Sequence, residues 1–191
     1  MDFSGAHTAA NEVYDPNYPN QQKADDHTGD GVVTGAIGDL VIDYLPNFSF
    51  KTDAVSAGTK TYALNNKKPF IQLTYDAASY DGWQLQVGVS PLTSTDGKDQ
   101  LTGAQIEVGG SNVINQTGDN STPAPTALNV TIPTNNQSAT IFTAPAGTGM
   151  STWQDYFSAS DTKLRIYGGT AKANVHYTGT VQWYLINGEG G

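Results

Sequence analysis

Apolar and polar residues alternate over short stretches of this chain, and clusters of turn-forming residues separate them. The clearest stretch is Trp83-Gln84-Leu85-Gln86-Val87-Gly88-Val89, whose odd positions are all apolar and whose even positions are Gln, Gln and Gly. A period of two gives a strand one buried face and one wet face. Leu40, Ile42 and Tyr44 alternate up to Pro46, and Pro69-Phe70-Ile71-Gln72-Leu73-Thr74-Tyr75 follows. Ala104, Ile106 and Val108 alternate next, then Leu128, Val130 and Ile132. Ala139 with Ile141, and Leu164 with Ile166, mark two further strands. The last spans residues 177–185, where Tyr177, Gly179, Val181, Trp183 and Leu185 share a face. Turn signals divide these runs at Asp96-Gly97, Gly109-Gly110, residues 118–125, Asn135-Asn136 and Gly168-Gly169. Many short strands at this spacing predict an all-β fold, a β-sandwich of short antiparallel strands with Greek-key-like connections. One helical turn is expected at residues 151–157, where Ser151 or Thr152 can cap it. No repeat of solenoid period is present.

The 191 residues suit a single domain with a core of useful size. Within it, residues 1–34 are expected to form an extended acidic N-terminal segment and residues 35–191 the sandwich body. The first segment is polar and broken by Pro16 and Pro19, and it offers little to a core beyond one early strand. It holds six acids against Lys23, which is −5 of the net charge of −9. Arg165 is the only arginine. Long-range attraction to nucleic acid, teichoic acid or another polyanion is therefore disfavoured, and contacts with a partner should be short-ranged. Cysteine is absent, which removes thiolate catalysis and cysteine metal sites. The chain opens on Met1-Asp2-Phe3-Ser4-Gly5, which is no export leader, and no apolar run approaches membrane-spanning length.

Candidate chemistry is sparse. His7, His27 and His176 are far apart, and the motifs HExxH, GxSxG and GxxxxGK are missing. Paired carboxylates can cleave a glycan, and Asp43, Asp76, Asp81, Glu107 and Asp155 are the candidates. Most lie at turns or on wet strand faces, so solvation is the favoured reading. Asp26-His27-Thr28-Gly29-Asp30-Gly31 lacks the regular oxygen ligands and terminal Glu of a calcium loop, and a solvated acidic loop is expected there. Asn115-Gln116-Thr117 and Asn129-Val130-Thr131 are glycosylation triplets that arise by chance in so Asn- and Thr-rich a chain. Neither a cofactor nor a metal is implied, and no enzyme activity is expected.

The informative feature is a pair of triplets, Trp83-Gln84-Leu85 and Trp183-Tyr184-Leu185. In each, the Trp and Leu are two apart and point the same way along a strand. The first triplet follows Gly82, and the second closes a strand that comes after Gly168-Gly169-Thr170-Ala171-Lys172-Ala173. With Val13-Tyr14-Asp15-Pro16, residues 38–50, Leu101-Thr102-Gly103-Ala104 and Gly149-Met150-Ser151-Thr152-Trp153, the chain resembles the WxL domain family of Gram-positive surface proteins over nearly its whole length. The family usually has Gly after the Phe that ends the second of these segments, whereas Lys51 stands here, so the local turn is expected to differ.

The resemblance implies an exported protein whose leader has been removed and whose domain binds peptidoglycan at the cell wall without a covalent link. It also implies partner surface proteins encoded nearby. A second reading is an assembly or adhesin module that docks on such proteins or on host extracellular matrix. The family motifs carry over onto Trp83, Leu85, Trp183 and Leu185. Tryptophan can stack on a sugar, but an all-apolar face of a half-wet strand normally points into the core. Core packing is thus favoured over direct glycan contact for these four side chains. The two motif strands are expected to be neighbours, with their indoles meeting near one rim. Gln84, Gln86, Thr180, Gln182 and Tyr184 would then form a flat polar patch on the other face, whose amides and hydroxyls can bond N-acetyl sugars. Trp153 is expected to plug one end of the sandwich.

Overall fold

The computed structural model describes residues 9–17, 30–51, 53–77, 79 and 81–188. Among them there is no helix, and the strands are antiparallel throughout the named sheets. The first sheet has five strands in the order β1 (Gly31–Val33), β2 (Leu40–Pro46), β4 (Phe70–Tyr75), β12 (Ser151–Tyr156) and β8 (Asn112–Asn115). The second, which carries both motifs, runs β15 (Val181–Asn187), β5 (Trp83–Val89), β11 (Ser138–Ala144) and β9 (Thr126–Ala127). The third runs β10 (Val130–Pro133), β7 (Gln105–Val108), β13 (Lys163–Ile166) and β3 (Lys60–Ala63). A short ribbon pairs β14 (Tyr177–Thr178) with β6 (Thr93–Ser94). One core is shared by the three larger sheets: Ile71 and Leu73 enter it from the first, Leu85 and Phe142 from the second, Ile106 and Leu164 from the third.

Alternation produces the motif sheet. The odd residues of β5 are fully buried, and Gln84 and Gln86 are half-buried on the other face. In β11 the register shifts between Thr140 and Phe142. This bulge lets Ile141 and Phe142 both enter the core while Thr140 and Thr143 keep to the polar face opposite Gln86 and Gln84.

Three expectations need correction. Residues 151–157 do not make a helical turn; they supply β12, a central strand paired on both sides. Its polar Thr152, Gln154 and Asp155 are buried, because this sheet is covered on its outer face as well as its inner one. Trp153 is accordingly a core residue in mid-sheet, its indole N–H donating to the Met150 carbonyl at 2.6 Å. The last strand is not continuous from residue 177: Tyr177–Thr178 pairs with β6, and the motif strand begins at Val181. Gly179 sits at the break, where a Cβ would meet Leu92 at 2.7 Å.

The third correction concerns the N-terminal segment. Residues 11–15 form a strap across the outer face of the first sheet, and Val13 and Asp15 are buried. Side-chain amides from the sheet hold the strap's main chain. Gln72 Oε1 accepts from Tyr14 N–H at 2.9 Å, its Nε2 donates to the Glu12 carbonyl at 2.8 Å, and Gln154 Nε2 donates to the Tyr14 carbonyl at 2.7 Å. Val13 packs on Tyr44 and Phe70, whose rings stack at 4.2 Å. Asp15 pairs with Lys68. Burial works against ionisation of Asp15, but Lys68 and the Asn17 amide outweigh it and hold the carboxyl below its ordinary range. Gln72 and Gln154 are fully buried polar side chains, and the strap supplies the main-chain partners that make this tolerable.

Candidate functional site

The two motif strands are neighbours. Leu85 stands opposite Leu185, Val87 opposite Trp183, and Asn187 opposite Trp83. The two triplets are therefore related by a local two-fold through the leucine pair, with the tryptophans at opposite ends. The expectation that the indoles meet is overturned: antiparallel pairing with leucine on leucine sets them four rows apart.

Each indole has its own surroundings. Trp83 and Leu85 are fully buried. Trp83 meets Phe142 edge-on at 5.0 Å, and its N–H points to the Gly149 carbonyl at 3.4 Å, a long contact. Gly149 has φ +68°, and a Cβ there would come within 2.5 Å of Ala144 and 3.1 Å of Trp83. The glycine ahead of Met150 is thus part of the Trp83 pocket. Trp183 and Leu185 are half-buried, since β15 is the edge of its sheet. Trp183 stacks on Phe48 at 6.3 Å, and Phe48 in turn lies 6.4 Å from Phe50. This aromatic row leads into a cleft of about 590 Å³ lined by Phe48, Phe50, Tyr62, Leu164 and Val181, with Lys51 and His176 among its polar lining residues. Nothing in the sequence signalled that Phe48 and Phe50 lie beside the motif; they entered only as part of residues 38–50, which carry the family resemblance.

The other face of the motif sheet is uncharged and mostly polar, with Ile186 an exposed apolar residue on it. Gln84 and Gln86 lie on it beside Ile186 and Tyr184, and Thr143 and Thr140 continue the same rows into β11. Tyr184 is 44% exposed and its hydroxyl donates to Gln182 Oε1 at 2.9 Å. Ser138 Oγ donates to Gln86 Oε1 at 2.9 Å. Thr180 is exposed just before β15, its N–H bonded to Ser90 Oγ at 2.8 Å. Not one residue of β15, β5, β11 or β9 is charged.

Of the candidate carboxylates, Asp43 and Asp155 are separated by the first sheet. Most of the five candidates were expected at turns or on wet faces, yet Asp43 and Asp155 are both buried, on opposite faces of the first sheet. Asp43 lies under the strap and accepts from Thr74 at 2.7 Å, Asn11 at 3.0 Å and Gln72 at 3.1 Å. Burial pushes its carboxyl above the ordinary range against these bonds. Asp155 faces the core between Ile71 and Val113, and neither of its carboxylate oxygens makes a well-formed hydrogen bond. Burial pushes Asp155 up to about 8, against the opposing influence of the Ser111 hydroxyl. Glu107 is paired with Arg165, and Asp81 accepts from Ser79 at 2.7 Å. Among the described residues no group of three or more His, Cys, Asp or Glu is placed to hold a metal ion. His7, His27 and most of the acidic 26–31 loop lie outside the described residues.

A family model described as WxL domain surface cell wall-binding matches residues 5–188. No curated protein and no solved structure matches the chain.

Proposed function

This chain belongs to the WxL family of surface cell-wall-binding domains, and on that premise we propose that it retains an exported protein at the surface of a Gram-positive cell by non-covalent contact with peptidoglycan. No reaction is catalysed in this reading. The observation that carries it is the uncharged outer face of the motif sheet, with Gln84, Gln86, Gln182 and Thr180 around the exposed Tyr184. An array of amides and hydroxyls exchanges hydrogen bonds with N-acetyl sugars and stem-peptide amides, and one aromatic ring covers the apolar face of a sugar. The motif side chains act behind this surface: Trp83, Leu85, Trp183 and Leu185 hold the two strands in the register that presents it. The net charge of −9 supports peptidoglycan over polyanionic wall polymers.

Sedimentation with purified, teichoic-acid-free peptidoglycan tests the reading. Tyr184→Ala combined with Gln182→Ala removes exposed groups only, so melting should hold while binding is lost. Unchanged co-sedimentation of the double variant would reject the face. A second reading, docking on a neighbouring surface protein or on host matrix, is favoured by the outer edge of β15, which no described strand covers. Co-elution with such a protein in the absence of any binding to bare peptidoglycan would favour it.

A further inference from the structure

Edge strands present unpaired main-chain groups, and proteins blunt them by shortness, charge, proline or a bulge. The edges β1, β8, β9, β10 and β3 are two to four residues long. β15 is seven residues long, carries no charge and no proline, and pairs with β5 without a break in register. The phase of its ladder is fixed by two bonds: Ser90 N–H donates to the Thr180 carbonyl and Gly188 N–H to the Gly82 carbonyl, both at 2.9 Å. Even-numbered residues therefore turn their main-chain groups toward β5. Val181, Trp183, Leu185 and Asn187 turn theirs to the open side, where no described strand pairs with them.

The first sheet extends beyond this edge. β15 contacts β2; Trp183 stacks on Phe48, just past the end of β2, and Leu185 and Leu40 line one cavity at the shared rim. Outside β2 lies β1, which has no counterpart in the motif sheet. Val32 of β1 pairs with Leu45, a residue packed against the core, so Val32 faces the same way. It is nevertheless 54% exposed. Among the described residues, the motif sheet is one strand short above this ledge.

We infer that the β15 edge and the Val32 ledge together accept one extended strand from another protein. Its main chain would complete the ladder on Val181, Trp183, Leu185 and Asn187, and its alternate apolar side chains would cover Val32 and Leu45. A second copy of this chain does not fit. A β15 laid edge to edge would bring its own β2 beneath it, into the space that β1 fills. The same overhang that exposes Val32 therefore selects a lone strand over a whole sheet. The inference is independent of the wall-binding reading.

Amide hydrogen exchange on the full chain tests it, with and without a synthetic peptide copying residues 82–90, a sequence that already pairs with β15 on its other side. The amides of Val181, Trp183, Leu185 and Asn187 should exchange freely alone and at least about tenfold more slowly with the peptide. Val32→Asp should weaken the peptide about tenfold or more, by placing a carboxylate under the added strand. Val32→Thr, of the same shape, should weaken it less. Three results would overturn the inference: these amides protected without peptide, no protection at millimolar peptide, or binding indifferent to Val32→Asp. A β15-to-β15 dimer at sedimentation equilibrium would overturn it as well.

Discussion

Replacing Asp155 by Asn removes an acid from the core without changing its shape, and the consequence should depend on pH. In the folded chain burial lifts this carboxyl from 3.8 to about 8. Between those values the native state keeps a proton that the unfolded chain has lost. Stability is then greatest at the acid end and falls as pH rises. The slope is at most about 1.4 kcal/mol per pH unit, which for a chain of this size is about 2–5 °C in Tm. Asp43, also raised, adds in the same direction. Asp15 is lowered, so its contribution is present at neutral pH and is lost only below the ordinary carboxylate range. Melting followed by circular dichroism from pH 5 to 8 should show the wild-type Tm declining steadily and Asp155→Asn declining much less. The variant should match the wild type near pH 5 and exceed it by pH 8. Parallel profiles would refute the reasoning, as would an infrared carboxylate band from Asp155 at pH 6.

Two further outcomes follow from packing. Trp83→Ala should cost about 3–5 kcal/mol in urea unfolding, and Trp183→Ala clearly less, because the first indole is fully buried and the second lies half-buried at an edge. Equal losses would contradict the asymmetry. Gln72→Leu leaves the Tyr14 N–H and the Glu12 carbonyl without their partners, at about 1–3 kcal/mol for each group. Limited proteolysis should then cut residues 9–17 faster than in the wild type, and an unchanged cleavage rate would show that the strap is held by other contacts.

The motif sheet was legible because each of its faces has one character. Gln84 and Gln86 between buried neighbours state their own direction, and so do Gln182 and Tyr184. The first sheet was not legible in this way. In β12 the sequence Ser-Thr-Trp-Gln-Asp-Tyr has no apolar face, since Gln154 meets the strap while Asp155 enters the core protonated. Alternation fails wherever both faces are buried and one of them is satisfied by a distant main chain. The same cause hid the strap: Val13 is a lone apolar residue among polar ones, and the amides that bind it come from residues 72 and 154. Neighbouring motif strands could be anticipated from the two matched triplets and their alternation, but the separation of their indoles depends on which residues stand opposite, and only the leucine-to-leucine register decides that.

The strap and the uncharged sheet face lie on opposite sides of one core. With the proposed glycan contact through Tyr184 and its neighbours, the strap of residues 11–15 lies on the side turned away from the glycan. In that reading the domain works as a foot with its sole on the glycan and the strap as its ankle, facing the medium.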